Sequence, residues 1–549
     1  MSPFITKKRF AQNCDFQNNG DIARIYTYAM ADQFEADLRQ LKAEYKQQWL
    51  DALLLLAIPG YLFLNLFTLR GVPHLIVSDD GLFVLDGLRM GEGLCIYRDF
   101  FQFNAPGIDY IFFLAFSLFG VHTWVPALVN LLLGTSLSYV ALHLCHRIMP
   151  RQWANLTTVL FVVFIYGRWL DATHHWFSLM AILLAIVILI PERSPSRAAI
   201  AGGLIGIAAF FTQTAGAAAW LAFAVSLFYE RASLSSQRAM LRKQASLLVS
   251  AVLSWFLLSA STLMRVGWRT VWYFQVVFPQ RYERRVDTNP LVPLMHVFPN
   301  SLSRIQLENV IFYLILVCIP PIAVCFLWTS RLRKKTSPGD QRMPAVLLAS
   351  SGLLLMAAVV TRPTWIRLSA DFLPSMILFF AAMACFLQSR PRLSRLVILA
   401  LWSVAVVSGI RQTIFNHATH ISIASLPTGR VALRLQDEDE FRTIAKLTRP
   451  GDLFFQAFSV NLYLPLGLRS PVYMDYLRQS SVTRPEFLAN AINVLRNNRV
   501  RYVVLRPASD ITFDPAQSHI LDSFYTWIES HYKLAQRFPN GDQLWELQP

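Results

Sequence analysis

Eleven mostly apolar stretches punctuate the chain, at 50–70, 123–147, 154–167, 172–190, 198–212, 215–230, 244–265, 307–329, 343–361, 368–388 and 394–410. A helix that crosses a bilayer needs about 20 mostly apolar residues. The pattern therefore predicts a polytopic α-helical membrane protein with about eleven transmembrane helices. Several runs are short and broken by small polar residues, as expected of helices that line a cavity rather than lipid. One further apolar stretch, 107–121, is shorter still. It is expected to lie along the outer surface as a juxtamembrane helix.

Beyond residue 410 the long apolar runs stop. Gly451-Asp452 precedes Leu453-Phe454-Phe455, a helical pattern covers Arg484 to Asn497, and Val500 to Leu505 reads as a buried strand. A helix over 517–531 and a hairpin turning at Asn540-Gly541 complete the pattern. Residues 411–549 are read as a small α/β domain, 50–410 as the membrane domain with an outer loop at 71–122, and 1–49 as a polar tail. The tail has no apolar core of signal-peptide type, so the first membrane helix is expected to direct insertion.

Charge sets the orientation. Basic residues gather in alternate loops at 147–153, 191–197, 230–243, 330–342 and 389–395. Cytoplasmic loops carry such an excess, which predicts a cytoplasmic N-terminus. If 107–121 does not cross, the number of spans is odd and the C-terminus is extracytoplasmic. The net charge of +16 then reports topology, and nucleic acid is not an expected partner. Only 15% of residues are charged and 54% are hydrophobic, with 40 Phe and 14 Trp, which suits contact with membrane lipids. The six cysteines are scattered and form no C-x-x-C pair, so neither a disulfide framework nor a zinc site is indicated.

The outer loops carry the candidate chemistry. The first reads Ser78-Asp79-Asp80-Gly81, then Gly91-Glu92-Gly93, Tyr97-Arg98-Asp99 and Asn104-Ala105-Pro106-Gly107. Adjacent carboxylates just after a membrane helix are costly if buried and unpaired. At the membrane surface they can act on something held there, or they can cap a helix beginning at Gly81. The second outer loop holds Arg168, Asp171, His174 and His175, and the third turns at Thr212-Gln213-Thr214. Loop 266–306 mixes aromatic and basic residues, among them Trp268, Trp272 and Arg281. It suits either an interfacial anchor or a lid over a phosphorylated lipid. The fifth outer loop carries Arg362 and Arg367 ahead of Asp371. Arginines at membrane level need an anionic partner, either a phosphate or an internal carboxylate such as Asp371 or Asp171.

This arrangement resembles the type C membrane glycosyltransferase superfamily, in the branch of protein O-mannosyltransferases and aminoarabinose transferases. The resemblance rests on Asp79-Asp80 after the first helix, the Tyr97-Arg98-Asp99 stretch and the turn before 107–121. It covers about residues 50–410. Ala105 stands where those proteins carry the first proline of the turn, and the third outer loop has Gln213 without the usual lysine.

The resemblance implies inverting transfer of a sugar from a polyprenyl-phosphate donor to an acceptor hydroxyl on the extracytoplasmic face of the plasma (inner) membrane, in a bacterial cell envelope. It implies Asp79 as general base, with Asp80 as an alternative base and Asp171 as a second acidic residue of the active site. Arg168, Gln213, Tyr97, Arg98, Arg281, Arg362, Arg367 and His174 are the candidate substrate contacts. No cofactor is expected. A divalent metal held by Asp171, His174 and His175 is the alternative, although adjacent helical residues point about 100° apart. The acceptor stays open between protein, lipid and polysaccharide. A transporter or flippase of a lipid-linked saccharide is the rival function, with a non-enzymatic envelope scaffold behind it. Transporters tend to show repeated halves and midplane ionisable groups, and neither is visible in this sequence.

Overall fold

The structure is a computed structural model that describes residues 49, 51–75, 80–230, 237–282, 304–331, 342–360, 364–507 and 519–549. Asp79 and Arg362 lie outside the described residues. The chain divides into two compact units, Met1–Ala57 and Ile58–Pro549. Of the first, the described part is helical. Everything below concerns the second, apart from the helix Asp51–Leu66, which begins in the first.

Each apolar run contains a helix. Asp51–Leu66 (α1) leads through the first loop to Asp80–Gly91 (α2) and Gly107–Phe119 (α3). Next come Trp124–Ile148 (α4), Arg151–Leu160 (α5), His174–Leu189 (α6), Pro195–Phe211 (α7), Gln213–Glu230 (α8) and Gln237–Val266 (α9). Arg304–Arg331 (α10), Arg342–Val360 (α11), Trp365–Asp371 (α12), Leu373–Leu387 (α13) and Pro391–Thr419 (α14) complete the apolar part.

Among the described residues three helices, α4, α9 and α14, are long and apolar enough by length and composition to cross a membrane. The pair α12 and α13, bent by 49°, makes a fourth. The remaining apolar helices offer shorter apolar stretches, such as Ile311–Cys325 within α10 and Pro344–Val359 within α11. The most apolar windows of α9 and α14 are only 17% and 11% buried. Such continuous apolar surface is a liability in water and is satisfied by lipid.

Small residues bring the helices together. α7 packs along α9, and a Cβ at Gly206 would come within 2.3 Å of the Ala251 carbonyl oxygen. α2 packs along α3, and a Cβ at Gly87 would meet Phe112 Cβ at 2.6 Å. The hand of glycine here is contact, since any side chain would push the helices apart.

The C-terminal part holds the hairpin Ser422–Leu426 (β1) with Gly429–Leu433 (β2), then Leu435–Leu447 (α15). A four-stranded sheet follows, ordered β3-β4-β6-β5. Its strands are Phe455–Gln456 (β3), Tyr502–Leu505 (β4), Tyr532–Arg537 (β5) and Gln543–Leu547 (β6), with helices Pro485–Asn497 (α16) and Asp522–His531 (α17). β3 and β4 are parallel, while β4 with β6 and β5 with β6 are antiparallel. The expected strand at 500–505 is β4, and the expected turn at Asn540-Gly541 joins β5 to β6. The boundary expected at residue 411 falls inside α14, which runs to Thr419.

This region does not build its core alone. Leu85 of α2 is buried among Phe441, Phe454 and Val504, and Phe278 is buried among Phe455, Leu488 and Val503. The backbone joins too. Leu75 N–H donates to Ala432 O at 2.8 Å and Ala432 N–H donates to Pro73 O at 2.8 Å, so the chain at His74 joins β2 through a single parallel bridge. A backbone donor and acceptor so paired must be matched elsewhere only if the pairing breaks.

Candidate functional site

The acidic loop is anchored from below. Arg89 of α2 pairs with Asp475 at 2.6 Å and donates to the Val472 carbonyl at 2.9 Å. Asp86 lies 3.8 Å from Arg89 and accepts from Gln102 Nε2 at 3.0 Å. All of these groups are buried, and Asp109 of α3 is buried beside Asp86. Burial pushes both Asp86 and Asp109 above the ordinary carboxylate range, because desolvation penalises the charged form. The network joins α2 and α3 to the C-terminal region.

The described part of α2 runs from Asp80. Asp80 is 1% exposed and stands in the first turn, where a negative charge complements the helix dipole. The Tyr166 hydroxyl lies within electrostatic range of both Asp171 and Asp80, although neither acid is among the walls of the cavity described next.

The turn that carries Asp171 is unusual. α5 widens into a π-helical stretch, Phe161–Tyr166, and then the short helix Gly167–Trp169. π-Helical turns are rare and recur at functional sites. Leu170 follows with φ +42°, a left-handed conformation that costs a leucine roughly 1–2 kcal/mol. The Asn130 amide holds the Leu170 carbonyl, and Tyr166 donates to Asn130 Oδ1 at 2.5 Å. Trp176 Nε1 donates to Asp171 Oδ1 at 3.4 Å. No apolar periodicity signals this π turn, so the sequence missed it.

Beside this turn lies a cavity of about 530 Å³. His174, Gln213 and Arg367 of the expected contacts line it, together with Asp371, His175 and Gln275. Arg367 lies within electrostatic range of Asp371 and of both histidines. The rim also carries Thr212, Asn104 and Gln280. The cavity adjoins a second one, an apolar groove of about 320 Å³, with Gln213, Ala217, Gln275 and Val276 common to both. Trp220, Trp255, Trp268 and Trp272 are among the groove's walls. Gln213 Nε2 donates to the Gln275 carbonyl at 2.8 Å, which fixes the junction.

Other expected contacts sit elsewhere. Tyr97 is 2% exposed; its hydroxyl donates to Asn104 O at 2.5 Å and accepts from Gln275 Nε2 at 3.0 Å. Tyr97 is not itself a cavity wall, but both of its partners, Asn104 and Gln275, are. Its backbone has φ +68°. Arg98 is exposed and bidentate to Asp99, away from the cavity walls. Arg281 lies over the Tyr282 ring at 5.6 Å and is not among the walls either, although its neighbours Pro279 and Gln280 are. Arg168 lies over the Phe312 ring at 4.6 Å. Among the described residues no group of three His, Cys, Asp or Glu is arranged to hold a metal ion. Three polar walls were not among the expected contacts: Gln275 carried no motif, Asn104 belongs to the turn before 107–121, and Gln280 lies in the aromatic and basic loop. Their loops were visible, but their convergence was not.

No protein-family model matches the chain, and no curated protein matches it. Solved structures do. The chain is similar to ArnT from Cupriavidus metallidurans bound to undecaprenyl phosphate, at 13% identity and a TM-score of 0.47, over 91% of this chain and 98% of that one. The same protein in the apo state matches at 13% identity and a TM-score of 0.44, over 91% and 98%. The oligosaccharyltransferase of Archaeoglobus fulgidus in its apo form matches at 12% identity and a TM-score of 0.46, over 85% of this chain and 72% of that one. At TM-scores below 0.5 these likenesses are too loose to carry a residue's role to this chain.

Proposed function

We propose that this chain is an inverting glycosyltransferase that moves a sugar from a polyprenyl-phosphate donor to an acceptor hydroxyl at the extracytoplasmic face of the inner membrane. About eleven helices span the bilayer in this reading, with the N-terminus cytoplasmic and 411–549 outside. One observation supports it: a polar cavity with Arg367, His174 and Gln213 in its walls lies beside an apolar groove, with Gln213, Ala217, Gln275 and Val276 lining both. A lipid phosphate has that same division, an anionic head on an apolar chain. A guanidinium offers paired hydrogen bonds to phosphate oxygens, and a tryptophan-rich groove suits an isoprenoid.

The reaction then needs a base. The acceptor hydroxyl gives its proton to Asp79 as its oxygen forms a bond to the anomeric carbon from the face opposite the phosphate. The bond from that carbon to the phosphate oxygen breaks, and its electron pair leaves with the lipid phosphate. Arg367, with Arg362, stabilises that charge as it grows, and such preorganised donors contribute most in the transition state. Asp80 and Asp171 flank Tyr166 and hold the base and the sugar in register.

The test is Asp79→Asn in proteoliposomes, with transfer from a polyprenyl-phosphate sugar as the readout. Loss of a general base lowers the rate by about 10²–10⁴-fold, while the melting temperature stays that of the parent chain. Undiminished transfer by the folded variant rules out Asp79 as the base. Passage of sugar across the bilayer with no new glycosidic bond identifies a transporter instead.

A further inference from the structure

Helix ends that turn left-handed are usually built on glycine, and sometimes on asparagine. Leu170 stands at such an end, directly after the short helix Gly167–Trp169, with φ +42°. Its side chain accounts for part of the choice, since it packs against Leu66, Phe67 and Ala127. Its backbone needs a further support, because a leucine at positive φ persists only where the surroundings fix it there.

That support comes from α4. The Leu170 N–H donates to Tyr166 O at 3.0 Å, and the Leu170 carbonyl accepts from Asn130 Nδ2. Asn130 is wholly buried. The Tyr166 hydroxyl shares its proton between Asn130 Oδ1 at 2.5 Å and Asn130 O at 2.8 Å. The bond to Oδ1 decides which way the amide points, because it leaves Nδ2, the donor, for Leu170. Gly134, one turn further along the same face of α4, admits the Tyr166 ring: a Cβ there would come within 2.3 Å of Tyr166 Cε1.

What this clamp controls is the entry into α6. Only Asp171, Ala172 and Thr173 separate Leu170 from His174, and all three are buried. Thr173, at the cap of α6, makes no side-chain cap bond. The start of the helix is therefore set by the turn before it. The first two residues of α6, His174 and His175, are both walls of the polar cavity. His174 Nδ1 is buried and has no hydrogen-bond partner among the described residues, so it is a polar atom that a ligand in the cavity can satisfy.

We propose that Asn130 is a positioning residue of the polar cavity: by holding Leu170 left-handed it fixes the buried link 171–173, and with it the place of His174 in the cavity wall. The effect on transfer rests on the glycosyltransferase reading; the clamp itself does not.

The test uses the full-length chain in proteoliposomes. One readout is transfer from a polyprenyl-phosphate sugar. The other needs no turnover: labelling of His174 by diethyl pyrocarbonate, read by mass spectrometry. Asn130→Ala is expected to lower kcat by about 10²-fold, the cost of a misplacement of about 1 Å. The KM for the donor moves by less than about threefold, since the contacts that bind it are kept. Labelling of His174 rises several-fold. Adding Leu170→Gly to that variant brings kcat back to within about fivefold of the parent, because glycine takes positive φ about as readily as negative. Labelling falls back with it. The double variant nevertheless melts below Asn130→Ala, for the leucine's contacts with Leu66, Phe67 and Ala127 are gone. A residue that only stabilised the fold would move activity and melting together. If Asn130→Ala does not fold, Tyr166→Phe, which frees the amide to turn, takes its place with a smaller fall in kcat and the same rescue. Parent-like kcat in the folded Asn130→Ala variant, or a double variant no faster than the single one, overturns the positioning role. Parent-like labelling overturns the clamp. A parent chain that transfers nothing ends the glycosyltransferase reading, while labelling that still rises and falls back keeps the clamp.

Discussion

Two sets of polar residues in this protein look alike by type and differ in what they face. Asp86, Arg89 and Asp475 face one another, and every contact between them is closed by protein. His174, Gln213, Arg367 and Asp371 face a cavity of about 530 Å³. The first set seats the C-terminal region on α2. The second surrounds space. Residue type therefore does not separate the two sets; open volume beside them does.

The comparison can be broken first at Arg89. Arg89→Met leaves Asp475 as an unpaired buried charge, and removing one partner of such a pair costs about 3–5 kcal/mol. A large drop in melting temperature is expected, and Arg89→Met combined with Asp475→Leu recovers most of it. A single variant as stable as the parent would remove the structural role. The cavity should answer the opposite way. Arg367→Ala slows transfer by about 10²–10³-fold with little change in melting. Arg367→Lys restores only part, because an ammonium lacks the planar fork. If Arg367→Ala instead melts like Arg89→Met, the distinction between the two sets fails.

A third test sharpens it with pH. Burial, and then the charge of Asp542, pushes the Glu440 carboxyl up to about 8 from an ordinary 4.5. Between those values the folded chain holds a proton that the unfolded chain has released, so this group's contribution to stability falls as pH rises from 4.5 to 8. Glu440→Gln removes that fall. The variant is expected to be more stable than the parent at pH 9 by on the order of 1–3 kcal/mol, with the two curves converging below pH 5. The smallest effect belongs to Tyr97→Phe. It loses the hydroxyl that joins Asn104 to Gln275, about 0.5–1.5 kcal/mol of stability. Transfer at saturating donor should hardly change; a loss as large as that of Arg367→Ala would return Tyr97 to direct contact with substrate.

Much of the helical part was legible because lipid imposes a simple rule. Backbone groups inside a bilayer must bond within their own segment, so apolar runs near residues 123, 244 and 394 announce helices whatever their neighbours do. The strand at Tyr502–Leu505 was legible for a related reason: four buried positions in a row leave no polar face. The site was only half legible. His174, Gln213 and Arg367 could be chosen because polar residues interrupt apolar runs. Tyr97 could not be judged, since its place depends on Gln275, which is 178 residues away. Nor could the outer loop's union with β2 through Pro73 and Ala432, because an edge strand takes its partner from whatever backbone is brought beside it.

By itself, then, the sequence determined the helical elements, the acidic pair beside the first of them and the α/β pattern after them. These follow from local periodicity and from the cost of exposing a backbone to lipid. The tertiary structure alone decided which buried charges are spent on holding the molecule together and which border open space. That choice depends on distances between residues far apart in the chain, and no local pattern of side chains encodes a void.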